Sequence, residues 1–269
     1  MHTPTPPDMT NSARHIAQQL LRIDHPAEKA SRVRQLELDN LLVLPAQTIA
    51  DVPGLPGRPD RPTLVPPQQL KPRAPGTREG LGALIHALAH IEANAINLAL
   101  DVSWRFAGMP ERFYRDWLQV AREEALHFEL LREHLLTLGF EYGDFPAHNG
   151  LWEMAEKTRG SLLARLALVP RTLEARGLDA SPAIRNRLVS VGDHRGAAIL
   201  DIILRDEIGH VAVGNRWYRY LCSAHNLDPI STFGKLAAQH GAQKLKGPFN
   251  LAARRAAGFD EAELALLGS

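Results

Sequence analysis

Residues 117–131, WLQVAREEALHFELL, and residues 200–214, LDIILRDEIGHVAVG, decide the fold, because each sets a Glu-x-x-His pair into an apolar stripe of helical period. Glu124 and His127 interrupt Trp117, Val120, Ala121, Phe128 and Leu131. Glu207 and His210 interrupt Leu200, Ile203, Leu204, Val211 and Gly214. Positions i and i+3 share a helix face, so each pair aims a carboxylate and an imidazole at one point. A bare carboxylate on an apolar face is costly, and something must neutralise it.

Each pair has a carboxylate upstream at nearly the same distance: Glu92 precedes Glu124 by 32 residues and Glu174 precedes Glu207 by 33. Glu92 lies among Leu88, Ala89, Ala95 and Ile96, again on an apolar face. The repeat of Glu, spacer, Glu-x-x-His predicts two related helical hairpins facing each other. A helix over 77–106 and another over 110–138, turning near Gly108-Met109-Pro110, place Glu92 and Glu124 at one height, about 16 residues either side of the turn at ~1.5 Å per residue. For the second hairpin a turn at 192–193 gives roughly equal heights, and one at 177–182 would leave the two acids ~30 Å out of level. The third helix is therefore read from near residue 151 with an interruption at 177–181, Ser181 capping a restart at Pro182, and the fourth as running from about 194 to 222.

Around this core, residues 10–50 predict two short amphipathic helices, near 13–23 and from Pro26. Residues 51–76 carry eight prolines, which forbid regular helix and predict an extended arm laid on the helical body through Leu64, Val65 and Leu70. The expected organisation is all-α: residues 1–76 as N-terminal helices and Pro-rich arm, 77–222 as a ferritin-like four-helix bundle, and 223–269 as a helical tail broken near Gly247-Pro248 with a short helix from Asp260.

Lys and Arg number 31 against 30 Asp and Glu, so a net charge of +1 gives no bulk reason to expect nucleic acid or a membrane. The one cysteine, Cys222, excludes an intramolecular disulfide framework and any Cys₄ site, and fits a reducing cytoplasm. The start, MHTPTPPDMT, has no basic-then-apolar leader, and no run is read as approaching the roughly 18 apolar residues of a membrane span.

Glu92, Glu124, His127, Glu174, Glu207 and His210 make the four-Glu, two-His set of di-iron and di-manganese carboxylate sites. Oxygen donors with one imidazole per metal suit iron or manganese over a thiolate-rich zinc site. Glu124 and Glu207 are placed to bridge, with Glu92 and Glu174 as terminal ligands. Glu153 or Glu156 could replace Glu174, at the expense of the repeat. Asp206 is a candidate to hydrogen-bond a ligand histidine, and His90 stands two residues from Glu92.

The segments HALAHIEANAINLALD (86–101), VAREEALHFELL, YGDFPAHNGLWEMA, LVPRTLEARGLDASP, DEIGHVAVGNRW and GPFN resemble the bacterial ferritin-like family called domain of unknown function 455, over most of residues 25–260. The resemblance implies a ferritin-like fold with a metal site and leaves the reaction open. The expected cofactor is two metal ions, iron foremost, with manganese or a mixed iron/manganese pair admitted. The expected function is an oxidoreductase activating O₂ on a small-molecule substrate, with a separate electron-donor protein. Alternatives are a ferroxidase or metal-handling protein, or a rubrerythrin-like peroxide reductase. A homodimer is admitted. No membrane is expected, and nucleic acid is disfavoured with tRNA left open.

His86, His134, His148, His194, His225 and His240 read as surface or satisfied core histidines. Arg171 and Arg176, flanking Glu174, read as solvated charges before a substrate-binding pair. The basic residues Lys244, Lys246, Arg254 and Arg255 read as solvated before an RNA contact. Trp152, Trp217, Tyr142 and Tyr218 read as core residues before electron relays.

Overall fold

The structure, a computed structural model, describes residues 11–71 and 73–268. The reading of a missing leader in residues 1–10 lies outside them, as do Pro72 of the arm and the terminal Ser269. Among the described residues the fold is all-α: α1 (Ala13–Leu21), α2 (Pro26–Arg34), α3 (Arg78–Arg105), α4 (Glu111–Thr137), α5 (Gly150–Lys157), α6 (Leu162–Leu168), α7 (Ala175–Ser190), α8 (His194–Ala224), α9 (Pro229–Gln239), α10 (Leu251–Ala256) and α11 (Glu261–Ala265). A π-helical turn, Val169–Glu174, joins α6 to α7. Pairing of strand type is confined there to two isolated bridges, Ser12 with Leu42 and Leu64 with Ala147.

The chain divides into two compact units, residues 1–60 with 95–126 and residues 61–94 with 127–269. In the first unit, short helices and irregular chain are tied down by buried basic side chains. Arg14 donates to the carbonyls of Pro45, Gln47 and Trp104. Lys29 reaches the carbonyls of Leu21 and Gly57 at 3.3 Å and Asn97 Oδ1 at 2.6 Å. Loop carbonyls without a ladder to join need such donors. α1 and α2 begin where side chains accept from the third residue on, Ser12 from His15 N and His25 from Glu28 N, with Pro26 in the first turn.

In the second unit α8 packs against α6, the π turn and α7, with α9 and α10 added. Asp193 starts α8 by accepting from Gly196 N, and its other oxygen accepts from His134 Nε2 of α4 at 2.9 Å. The Pro-rich arm enters this unit through backbone bonds, Val65 N to Ala147 O at 2.8 Å and Ala147 N to Thr63 O at 3.1 Å. Its expected apolar anchors do little: Leu64 is exposed and Val65 and Leu70 are half-buried, while Pro56, Pro62 and Pro75 are buried.

Three expectations are corrected. α7 runs unbroken through 177–182, with Pro182 inside it. Pro182 has no N–H for the carbonyl of Leu178, and Asn250 Nδ2 supplies the donor instead at 3.2 Å. The irregularity falls earlier, at residues 158–161 and at the π turn around Pro170. Finally, α3 is long and apolar enough by length and composition to cross a membrane, but 72% of that window is buried inside the protein, as in a core helix.

Candidate metal centre

Four of the six expected ligands converge. Single ligand atoms from Glu92, Glu124, His127 and Glu207 lie within 4.8 Å of one another, and all four residues are buried. α3 supplies Glu92, α4 supplies Glu124 and His127, and α8 supplies Glu207. Glu124 stands one turn before His127 on an unbroken helix, so the helix itself fixes their spacing.

His127 is oriented from behind. Its Nε2–H donates to Asp206 Oδ2 at 3.1 Å, because a carboxylate there only accepts, and its Nδ1 lies 3.5 Å from Glu92 Oε2. Nδ1 is therefore the atom turned toward the acids. A carboxylate behind a histidine fixes tautomer and ring and raises the basicity of the other nitrogen. Burial pushes the Asp206 carboxyl up, but hydrogen bonds from Arg205 and His127 outweigh it and hold Asp206 below the ordinary range. Arg205 donates to both Asp206 oxygens, at 2.7 and 3.0 Å, from a largely exposed position.

His210 and Glu174 stand outside the 4.8 Å group. His210 is buried, with Nδ1 3.8 Å from Glu207 Oε2 and its ring centroid 5.7 Å from that of His127. Glu174 closes the π turn and is half-buried. Glu153 and Glu156, the alternatives to it, lie exposed on α5.

His90 belongs to a different network. Its Nδ1 is 2.9 Å from Tyr142 Oη and its Nε2 3.0 Å from the His148 carbonyl. His86, buried nearby, accepts from Gly143 N through Nε2 at 2.9 Å and stacks on Tyr142. Burial, with His90 adding and Asp144 opposing, pushes the His86 pKa down to about 4.

Arg171 and Arg254 overturn the solvated reading, whereas Arg176 and Arg255 keep it. Arg171 is buried, ion-paired with Glu263, bonded to Asn215 Oδ1 and set 4.2 Å over the Tyr218 ring. Of the basic tail group only Arg254 is buried, against Asp179, while Lys244, Lys246 and Arg255, the last paired with Glu261, are exposed. Arg176 is exposed. The reading of the tail missed Glu263; its one local sign is the spacing Asp260-x-x-Glu263, which forms a capping box at α11.

Three carboxylates gathered out of water around an imidazole repel one another unless cations or protons join them. All four donors are oxygen or nitrogen, a set that could hold a metal ion of the hard or borderline kind. Cys222, the one thiol, is buried and in contact with Tyr218, so it adds no sulfur donor to this group.

No solved structure matches the chain. A Haemophilus influenzae protein described as "Uncharacterized protein" is similar, 46% identical over 264 residues that cover 91% of this chain and 89% of that one. A family model described as "Protein of unknown function (DUF455)" matches residues 6–265, and with nearly its whole length aligned to that model the chain belongs to this family.

Proposed function

We propose that the protein is a ferritin-like two-metal carboxylate oxidoreductase that uses O₂ on a small-molecule substrate, with iron as the metal pair. The observation that supports it is the convergence of buried Glu92, Glu124, His127 and Glu207 from three helices, with Asp206 behind His127. In this reading α3 with α4 form one half of the bundle and α7 with α8 the other. Glu92, Glu124, His127 and Glu207 would hold the metal together with Glu174 and His210, which would complete a second position. A reduced iron pair supplies the electrons for O₂ reduction that no side chain provides.

The chain's own part is to orient and to exclude water. Asp206 holds the His127 ring with Nδ1 inward, and the burial of Glu92, Glu124, His127 and Glu207 keeps bulk water from the acids. A π turn ending at Glu174 gives that ligand a backbone unlike the regular helix carrying its counterpart Glu92, and such turns recur at functional sites. The reading calls for a separate electron-donor protein, and a reducing cytoplasm and a homodimer accord with it.

Anaerobic titration with Fe(II), counted by elemental analysis after desalting, tests the proposal. The expected result is two irons per chain, oxidised by O₂ to a species absorbing in the near ultraviolet, with Glu124→Ala holding one iron or fewer. A wild-type chain retaining less than one metal ends the proposal. Turnover of many Fe(II) per chain into mineral would replace it with metal storage.

A further inference from the structure

The stretch carrying Glu174 is bracketed by C-terminal residues on both sides. Upstream, the Arg171 guanidinium lies between Glu263 of α11, Asn215 of α8 and the rings of Tyr218 and Phe259. Glu263 also accepts from Arg219 of α8, so one buried carboxylate joins two arginines. Downstream, Arg254 of α10 donates to Asp179 at 2.6 and 3.0 Å, and Asn250 donates to the Leu178 carbonyl. Ala253 and Ala257 pack on Ala175, Leu178 and Val211, the neighbours of Glu174 and His210.

A π turn is a wide, poorly self-sustaining piece of helix that needs its surroundings to persist. Slipping by one residue turns a helical side chain by roughly 100°, which would swing Glu174 away from the direction it now holds. Contacts at Arg171 and Asp179, three residues before and five after Glu174, fix both flanks against that slip.

We propose that Glu263, acting through Arg171, is a positioning residue for the metal ligand Glu174, so that the C-terminal segment completes the second half of the metal centre. This rests on the two-metal reading above. Co(II) titration of the full chain tests it, reading the visible ligand-field band and the cobalt retained after desalting. Wild type should hold two cobalt ions. Glu263→Gln should keep one, bind the second at least tenfold more weakly and change the band. Arg171→Lys, which preserves the charge facing Glu263, should retain most of the second site. Arg255→Gln, breaking an exposed pair in the same segment, should match wild type. If Glu263→Gln does not fold, Glu263→Asp carries the same expectation. A folded Glu263→Gln or Glu263→Asp chain with two cobalt ions and the wild-type band overturns the inference. A wild-type chain that holds no cobalt removes the proposed function and this inference together.

Discussion

His86 shows how a single buried ring couples this fold to pH. Its Nε2 accepts the Gly143 N–H, so the ring must be neutral there, and burial pushes its pKa down to about 4. In the unfolded chain the same ring takes up a proton at its ordinary value, higher than in the fold. The stabilisation is therefore complete above pH 6.5 and drains away as pH falls toward 4, by on the order of 3 kcal/mol. Urea unfolding of wild type and His86→Gln at pH 7 and pH 4.5 checks this: the wild type should lose more between the two pH values. Equal losses would show that His86 does not report the fold's acid sensitivity. The sequence marked this histidine only as a surface or core residue, since the Gly143 N–H that decides its protonation comes from 57 positions away.

Among the elements, two of the three glycines of α8 have opposite meanings. A Cβ on Gly214 would meet the Pro170 ring at 2.5 and 2.7 Å, whereas one on Gly209 would meet nothing within 4 Å. Ala normally improves a helix interior by about 1 kcal/mol over Gly. Gly209→Ala should show that gain. Gly214→Ala should instead lose stability, because overpacking costs about 1–3 kcal/mol. Denaturant midpoints of the two variants measure the contrast, and a stabilised Gly214→Ala would mean that the π turn yields freely. The long helices α3 and α4 were legible in sequence because their ends are local: Gly108 and Gly139 take positive φ after them. α7 was not, because the donor that lets it pass Pro182 is Asn250, outside any window in which helix patterns are read. The site was legible where it sits on regular helix, as Glu92, Glu124, His127 and Glu207 do, and less so at Glu174, where a π turn departs from the 3.6-residue period.

At the scale of the whole molecule, the proposed metal centre would make metal content a term in stability. A ligand that binds only the folded chain stabilises it by RT ln(1 + [L]/Kd), about 2.7 kcal/mol at a hundredfold excess over Kd. Calorimetry with and without Mn(II) should therefore show a higher melting temperature in its presence, reversed by a chelator. An unchanged Tm would mean that protons or neighbouring side chains already satisfy the acids. Composition had no bearing on this outcome: a near-balanced 31 to 30 charge count conceals acids gathered in the interior. The pairing of Arg205 with Asp206 has a last consequence. Arg205 is 69% exposed and Asp206 only 14%, so the guanidinium stands in the ionic atmosphere while the carboxylate it grips steers a ring with no exposure at all. Dissolved electrolyte, which screens surface charges over about 8–10 Å, thereby has a lever on an imidazole it never touches.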